Sequence, residues 1–271
     1  MSKKIVIPIF NLSLSKLKKI ELEDGTIMRF SQPEVHEEYE EYKKLVQLYA
    51  NIRRMPFPEW VFVADISDEQ ETRKLLDLII IIMKLFKDNT ILACFYSEKI
   101  HFSGVPHYTV WRREPLYKLT SREVPRFQDF WRHYRKISLG NFAVNMFSIA
   151  DYLPYNIHTF LNYVAALEYL FCPDNRQELK YRFSLTGSLI LSSLLNKKRE
   201  NIFEELQNIY KKRSEIIHGH EKEVKITNPD LLKLRNYCRC AIIYSFDQGL
   251  FDKSPKARRK LLEKKVLDGK P

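Results

Sequence analysis

The chain has 271 residues, of which 45% are hydrophobic and 29% are charged, and its formal net charge is +11 at pH 7. This composition is typical of a globular protein and argues against a largely disordered or collagen-like chain. No secretory signal is visible, and the most hydrophobic run, residues 75–86, contains Asp77 and Lys84 and is too short to span a bilayer. We therefore expect a cytoplasmic protein with no membrane partner, in which this run is a buried helix.

The four cysteines, Cys94, Cys172, Cys238 and Cys240, form no CxxC pair. Cys238 and Cys240 are two residues apart in a predicted helix, so their side chains point to different faces and cannot bind one metal ion together. We expect reduced, buried thiols, with no metal and no cofactor.

Residues 1–120 predict a mixed α/β domain of unknown role. Ile5, Ile7 and Ile9 alternate as in a half-buried strand, and Asp24-Gly25 joins two short strands as a hairpin turn. The run 60–63 resembles a buried strand. A capping box with Ser67 at the N-cap opens a predicted helix to about residue 87, and segments 90–102 and 108–111 look extended.

From about Pro125 the strand alternation stops and apolar residues recur at helical spacing. The predicted helices cover residues 126–138, 140–151, 155–171, 177–195, 199–218, 228–250 and 255–266. We therefore expect an α+β protein with a boundary near residue 120, a linker at 120–125 and a helical bundle over 121–252. Residues 253–271 hold eight basic and two acidic residues and predict a mobile basic tail that either tracks phosphates or aids solubility.

Arg213 interrupts a hydrophobic stripe in the segment 199–220. Ile202, Leu206, Ile209 and Ile216 share one helical face, and the position that completes this stripe is Arg213. A guanidinium cannot shed its proton, so an inward position requires a partner. The spacing alone leaves four partners open: a neighbouring helix of the bundle, an interface, a buried carboxylate or a polyanion.

His218 follows five residues later, just before a glycine suited to end the helix. Five residues rotate a continuous helix by about 500°, which leaves the two side chains about 140° apart. Either the last turn unwinds at residues 217–219, or each site combines residues from two copies of the helix. A histidine at a helix C-terminus also has a purely structural explanation, because its positive form favours the helix dipole.

The surroundings of Arg213 and His218 resemble a known family. Arg213, the polar Ser214 and His218 look like the Arg–polar–x3–His signature of the HEPN superfamily. Three blocks occur in the order found in its Apea-like branch: Ala166-Leu167-Glu168-Tyr169-Leu170-Phe171, Tyr181-Arg182-Phe183, and Ile209 to Gly219. The resemblance covers about residues 127–246, under half of the chain.

The resemblance implies an up-and-down helical bundle that forms a homodimer through the helix 199–218, with RNA as the substrate and Arg213 and His218 as the catalytic residues. It implies a metal-independent endoribonuclease of the defence or toxin class that leaves a 2′,3′-cyclic phosphate, because RNA carries its own nucleophile. The alternative is a HEPN dimer that binds RNA or protein without cutting. An antitoxin or regulatory protein is a further possible partner.

Other residues near the signature are expected to assist. Glu168 continues the inward series of Ile157, Leu161 and Val164, so it should pair with Arg182 or Arg213 in a structural role. Ser214 is expected to orient a catalytic group or the phosphate. The residues expected to contact nucleic acid are Lys211, Lys212, His220, Arg258 and Arg259.

Overall fold

The computed structural model describes residues 3–15, 17–29, 58–87, 92–93, 116–153, 155–174, 177–220 and 224–269, with a few isolated residues between 44 and 51. The chain divides into two compact units, Met1–Leu139 and Gly140–Pro271. The predicted α+β class is confirmed: the first unit is mixed and the second is helical. The expected boundary near residue 120 and the expected linker lie inside the first unit.

The first unit contains a five-stranded sheet. Its strands are β1 (Lys3–Phe10), β3 (Lys19–Leu22), β4 (Gly25–Arg29), β5 (Trp60–Ile66) and β6 (Leu92–Ala93), in the order β3-β4-β5-β1-β6. All of its pairings among the described residues are antiparallel. A second sheet pairs β2 (Leu12–Ser15) in parallel with β7 (Tyr117–Thr120). The hairpin at Asp24-Gly25 is confirmed, since β3 and β4 pair across it.

Among its described segments, the first unit also has two helices of defined length. Helix α1 (Glu69–Phe86) buries most of its apolar residues, as the sequence predicted. Its N-cap is Asp68, whose side chain accepts from the Glu71 backbone N–H, so the prediction of Ser67 at this position was wrong. Aspartate caps a helix as well as serine does, and Glu71 instead binds Ser67. The segments predicted as extended lie outside the described residues, except for β6.

Helix α2 (Val124–Tyr134) belongs to the sheet unit because its aromatic face is covered there. Trp131 is fully buried, stacks on Phe62 at 5.6 Å between ring centroids, and donates its indole N–H to Asp24 at 2.7 Å. The sequence assigned this helix to the bundle from its periodicity. An amphipathic period shows that a helix has a buried face, but it does not show which core covers that face.

Six helices form the second unit. They are α3 (Phe142–Ala150), α4 (Asn156–Phe171), α5 (Leu179–Leu195), α6 (Arg199–Ile217), α7 (Asn228–Asp247) and α8 (Pro255–Asp268). The most extensive packing is between α5 and α6, with α3 on α4 and α4 on α7. The three-residue connection from α5 to α6 makes these two helices antiparallel neighbours. Among the described residues, no helix is long and apolar enough to cross a membrane.

Candidate functional site at the end of helix α6

Helix α6 presents one face to the core of its unit. Ile202, Leu206 and Tyr210 are buried at a spacing of four residues, and Arg213 follows one turn later with its side chain 30% exposed. Ile209, which the sequence assigned to this stripe, is only half-buried. The structure therefore brings Arg213 to the rim of the core, directly after a buried tyrosine.

Arg213 has two partners in the second unit. Its Nη2 lies 3.4 Å from Oε2 of Glu168 on α4, and its Cζ lies 5.6 Å from the ring centroid of Tyr210. A guanidinium has five N–H donors, and the described residues engage only this one nitrogen through a long contact. Arg213 is thus held in place and keeps donors for an anion.

Glu168 faces inward, as the sequence predicted, with its side chain 21% exposed. Its second oxygen, Oε1, is out of contact with solvent and has no hydrogen-bond partner among the described residues. The structure distinguishes between the two arginines that the sequence offered as partners of Glu168. Arg213 forms the ion pair, whereas Arg182 binds Glu263 at 2.9 Å and lies 3.8 Å from Glu178.

The carboxylate makes this corner of the bundle electrostatically negative. Burial, followed by the charge of Glu168, raises the pKa of Tyr210 to about 12. The same two causes raise the pKa of the Cys172 thiol to about 12. Both groups therefore stay protonated at neutral pH, and Arg213 is the cation that balances Glu168.

Tyr210 is a site residue that the sequence reasoning did not assign. It lies three residues before Arg213, which puts the two side chains on neighbouring positions of one helical face. That spacing was visible, but the apolar Ile209 beside it made a more obvious core residue.

His218 lies at the C-cap of α6, and the helix does not unwind before it. Its backbone N–H donates to Ser214 O at 3.0 Å, the ordinary helical bond. Gly219 then adopts φ +87°, His220 N–H donates to Glu215 O at 2.9 Å, and Gly219 N–H donates to Ile216 O. These two bonds are a Schellman ending that begins after His218.

This geometry excludes the first alternative left by the sequence, unwinding of the last turn before His218. With helical bonding continuous from Arg213 to His218, the two side chains lie about 140° apart around the helix axis. They do not share a face within one chain. The His218 side chain is exposed, and the described residues give its imidazole no hydrogen-bond partner.

The polar residues around the signature differ in availability. Lys212 binds Asp230 at 3.2 Å and the Lys225 carbonyl, while Lys211 is 67% exposed and 3.8 Å from Glu215. Ser214 is half-buried within the helix, and His220 is exposed just after it. Of the two lysines expected to contact nucleic acid, Lys211 is the more accessible.

The C-terminal segment is not a mobile tail. Residues Pro255–Asp268 form α8, as predicted for 255–266, but Arg258 and Leu262 are buried at 4% and 3% exposure. Arg259 binds Glu263 at 2.9 Å, and Glu263 also accepts from Arg182. The expectation that this segment is mobile is wrong because α8 has its own apolar contacts with the bundle.

Comparison of the chain with protein-family models, curated proteins and solved structures finds no match in any of the three. Within the described part of the chain, no three His, Cys, Asp or Glu side chains are grouped to hold a metal ion. The site is therefore interpreted from its own geometry: an inward arginine with free donors, and an exposed histidine on another face of one helix.

Proposed function

We propose that this protein is a HEPN-type endoribonuclease that acts as a homodimer. In each site, Arg213 of one copy works with His218 of the other copy on the same RNA phosphate. No metal takes part in the reaction.

One observation carries this proposal: α6 stays helical through His218. Arg213 and His218 therefore point in directions about 140° apart in one chain, and we infer that a second α6 supplies the missing residue of each site. Ile217, between them in sequence, is 55% exposed, so this end of α6 has an apolar side chain available for contact with another copy.

The reaction balances with groups of the chain and the RNA alone. A neutral imidazole of His218 takes the proton of the 2′-hydroxyl while the 2′-oxygen attacks the adjacent phosphorus. The bond from phosphorus to the 5′-oxygen breaks, and that oxygen leaves with a proton from an imidazolium or from water. The products are a 2′,3′-cyclic phosphate and a 5′-hydroxyl.

Arg213 acts on the phosphate. Negative charge builds on the nonbridging oxygens as the fifth bond to phosphorus forms, and a planar guanidinium stabilises it with two parallel N–H donors. Glu168 and Tyr210 orient this group from behind, which makes both of them positioning residues.

The test is cleavage of a labelled RNA in EDTA, with the ends of the products mapped by phosphatase sensitivity. We expect cleavage to persist in EDTA and to fail on DNA and on 2′-O-methyl RNA, which lack the nucleophile. His218→Ala should abolish cutting with RNA affinity nearly kept. Arg213→Lys should restore little activity compared with Arg213→Ala, because a point charge does not replace the planar fork.

Three results would each refute the mechanism: metal dependence, cleavage of DNA, or full activity of His218→Ala. A folded dimer that binds RNA and cuts none would instead support a HEPN binding module. The observation in favour of that second function is the His218 imidazole, which no described residue orients.

A further inference from the structure

Three side chains of the second unit form an aromatic and cationic cluster. The ring centroids of Phe142 and Tyr169 are 5.5 Å apart, and Cζ of Arg258 lies 4.3 Å from the centroid of the Tyr169 ring. We call Phe142, Tyr169 and Arg258 the stacking cluster. Helices α3, α4 and α8 contribute one residue each, so packing of the bundle assembles it.

Phe142 offers this cluster to solvent. It is 45% exposed although it is a large apolar residue. It is the first residue of α3, and the Asn141 side chain caps that helix by accepting from the Ala143 N–H at 3.0 Å. The ring therefore stands on a fixed backbone, with Tyr169 behind it.

Arg258 supplies an uncompensated positive charge. The residue is 4% exposed, and its Nε is out of contact with solvent and has no hydrogen-bond partner. Among the described residues no carboxylate pairs with it, and the Tyr169 ring is its one charge-stabilising contact. A buried charge is weakly screened, so its field attracts an anion more strongly than an exposed lysine does.

The cluster shares helix α4 with the residue that holds Arg213. Tyr169 follows Glu168, the residue that holds Arg213, and consecutive Cα atoms are about 3.8 Å apart. The cluster and the Arg213 ion pair are therefore held by the same segment of α4.

We propose that the stacking cluster binds single-stranded RNA next to the cut, with a base on Phe142 and a backbone phosphate drawn toward Arg258. This inference rests on the proposed function, because it concerns the same substrate. Bases of a single strand are free to stack on an aromatic side chain, whereas those of a duplex are already stacked and paired. The enzyme then selects loops and unpaired ends.

Fluorescence anisotropy with the His218→Ala protein tests the proposal, because this variant is expected to bind RNA without cutting it. The probes are a labelled unstructured RNA and the same RNA annealed to its complement. Adding Phe142→Ala should raise the Kd for the single strand about tenfold, with little change in salt dependence. Adding Arg258→Gln should raise the Kd and lower the salt slope by about one.

Two controls match these changes. Tyr181→Ala removes an aromatic ring that is 53% exposed and also makes one aromatic contact, with Phe203. Lys198→Gln removes an exposed positive charge at the N-cap of α6. Each control should change the Kd by less than about twofold, a size typical of a single exposed side chain.

The possible results distinguish a failure of the stacking cluster as a binding site from a failure of the proposed cleavage function. If the single strand is bound but Phe142→Ala behaves like Tyr181→Ala, the cluster is not the binding site and the cleavage proposal stands. The proposal for the stacking cluster is also overturned if the protein binds the duplex as tightly as the single strand. If the parent protein binds no RNA, both inferences fail. Phe142 is exposed, so its variant remains decisive even if Arg258→Gln does not fold.

Discussion

Glu168 is the residue whose environment is hardest to explain by stability alone. A half-buried carboxylate with one sealed, unpartnered oxygen costs free energy, and a hydrophobic residue would fill the same space more cheaply. A carboxylate at this position is explained if Glu168 orients Arg213 for a substrate. The side chain of Arg213 is otherwise long and flexible, and the Tyr210 ring limits it on one side only.

Glu168→Gln should therefore reduce the rate of RNA cleavage about 10- to 100-fold while the protein stays folded, since outer groups that orient a reactive residue have effects of that size. The amide keeps the shape but loses the charge that holds Arg213. Single-turnover cleavage at saturating RNA measures the effect, and thermal unfolding confirms the fold.

The matched control is Glu215→Gln. Glu215 forms an exposed contact of 3.8 Å with Lys211 on α6 itself, so losing its charge should leave the rate within about twofold. Equal losses in the two variants would mean that general negative charge, and not the pair with Arg213, controls the rate.

The sequence predicted the site at this scale only in part. Arg213 and Glu168 are inward, as the periodicity of α6 and α4 indicated, and the ion pair between them is one of the two pairings that the sequence left open. Tyr210 was missed because a hydrophobicity pattern ranks Ile209 above tyrosine, although the larger ring buries more area. Arg258 was predicted to contact phosphate on a mobile segment, and its burial against Tyr169 depends on tertiary contacts that no local pattern encodes.

Among the elements, helix α2 begins with an ionised cluster that depends on pH. The Glu123 carboxylate accepts from Lys87 at 2.8 Å and from the backbone and hydroxyl of Thr120 at 2.9 Å. The hydrogen bond from Lys87, assisted by Thr120, lowers the pKa of Glu123 from 4.5 to about 2. A lowered pKa stabilises the folded state above the unfolded value, and this stabilisation is lost as pH falls through the folded value.

Glu123→Gln should thus destabilise the protein at pH 7 by on the order of 1 kcal/mol, a value reduced for the partial exposure of the pair. The difference from the wild-type protein should shrink as pH falls from about 4.5 toward about 2. Urea unfolding at several pH values measures it. If the difference in unfolding free energy grew on acidification, the contacts of Glu123 would not be stabilising its ionised form.

The pairing of α5 with α6 depends on Gly187. A Cβ at this position would lie 2.6 Å from Cδ1 of Leu206 and 2.7 Å from Cε2 of Phe171, closer than side chains pack. Alanine favours a helix over glycine by about 1 kcal/mol, but overpacking of a core costs about 1–3 kcal/mol. The steric cost should win because both neighbours are buried.

Gly187→Ala is therefore expected to lower the free energy of unfolding by about 1–2 kcal/mol, measured by urea denaturation. Ser193→Ala, at an exposed position of the same helix, should leave it unchanged or slightly raise it. A Gly187→Ala protein more stable than the wild type would mean that α5 and α6 are packed less closely than the structure indicates.

Helices were the elements best predicted from the sequence. From α3 to α8 the predicted segments coincide with the observed helices to within a few residues, because strong amphipathic periods mark them. The amphipathic period of a helix did not predict the element against which its apolar face packs. Helix α2 packs on a sheet, and α8 packs on the bundle; both results depend on contacts distant in sequence.

For the whole molecule, the two-copy site requires a dimer. We expect light scattering at micromolar concentration to give about twice the chain mass of 32.4 kDa. Ile217→Glu, which puts a charge on the exposed apolar residue beside His218, should shift the protein toward the monomer and lower cleavage together. The matched change Leu194→Glu, at another exposed aliphatic residue, should do neither.

The most direct test of the central claim mixes two inactive chains. Arg213→Ala and His218→Ala, carried on differently tagged copies and purified as a heterodimer, leave one site with both wild-type residues if each site draws on two copies. We predict about half of the wild-type activity per dimer, with each homodimer inactive. A stable heterodimer as inactive as the two parent variants would contradict the account.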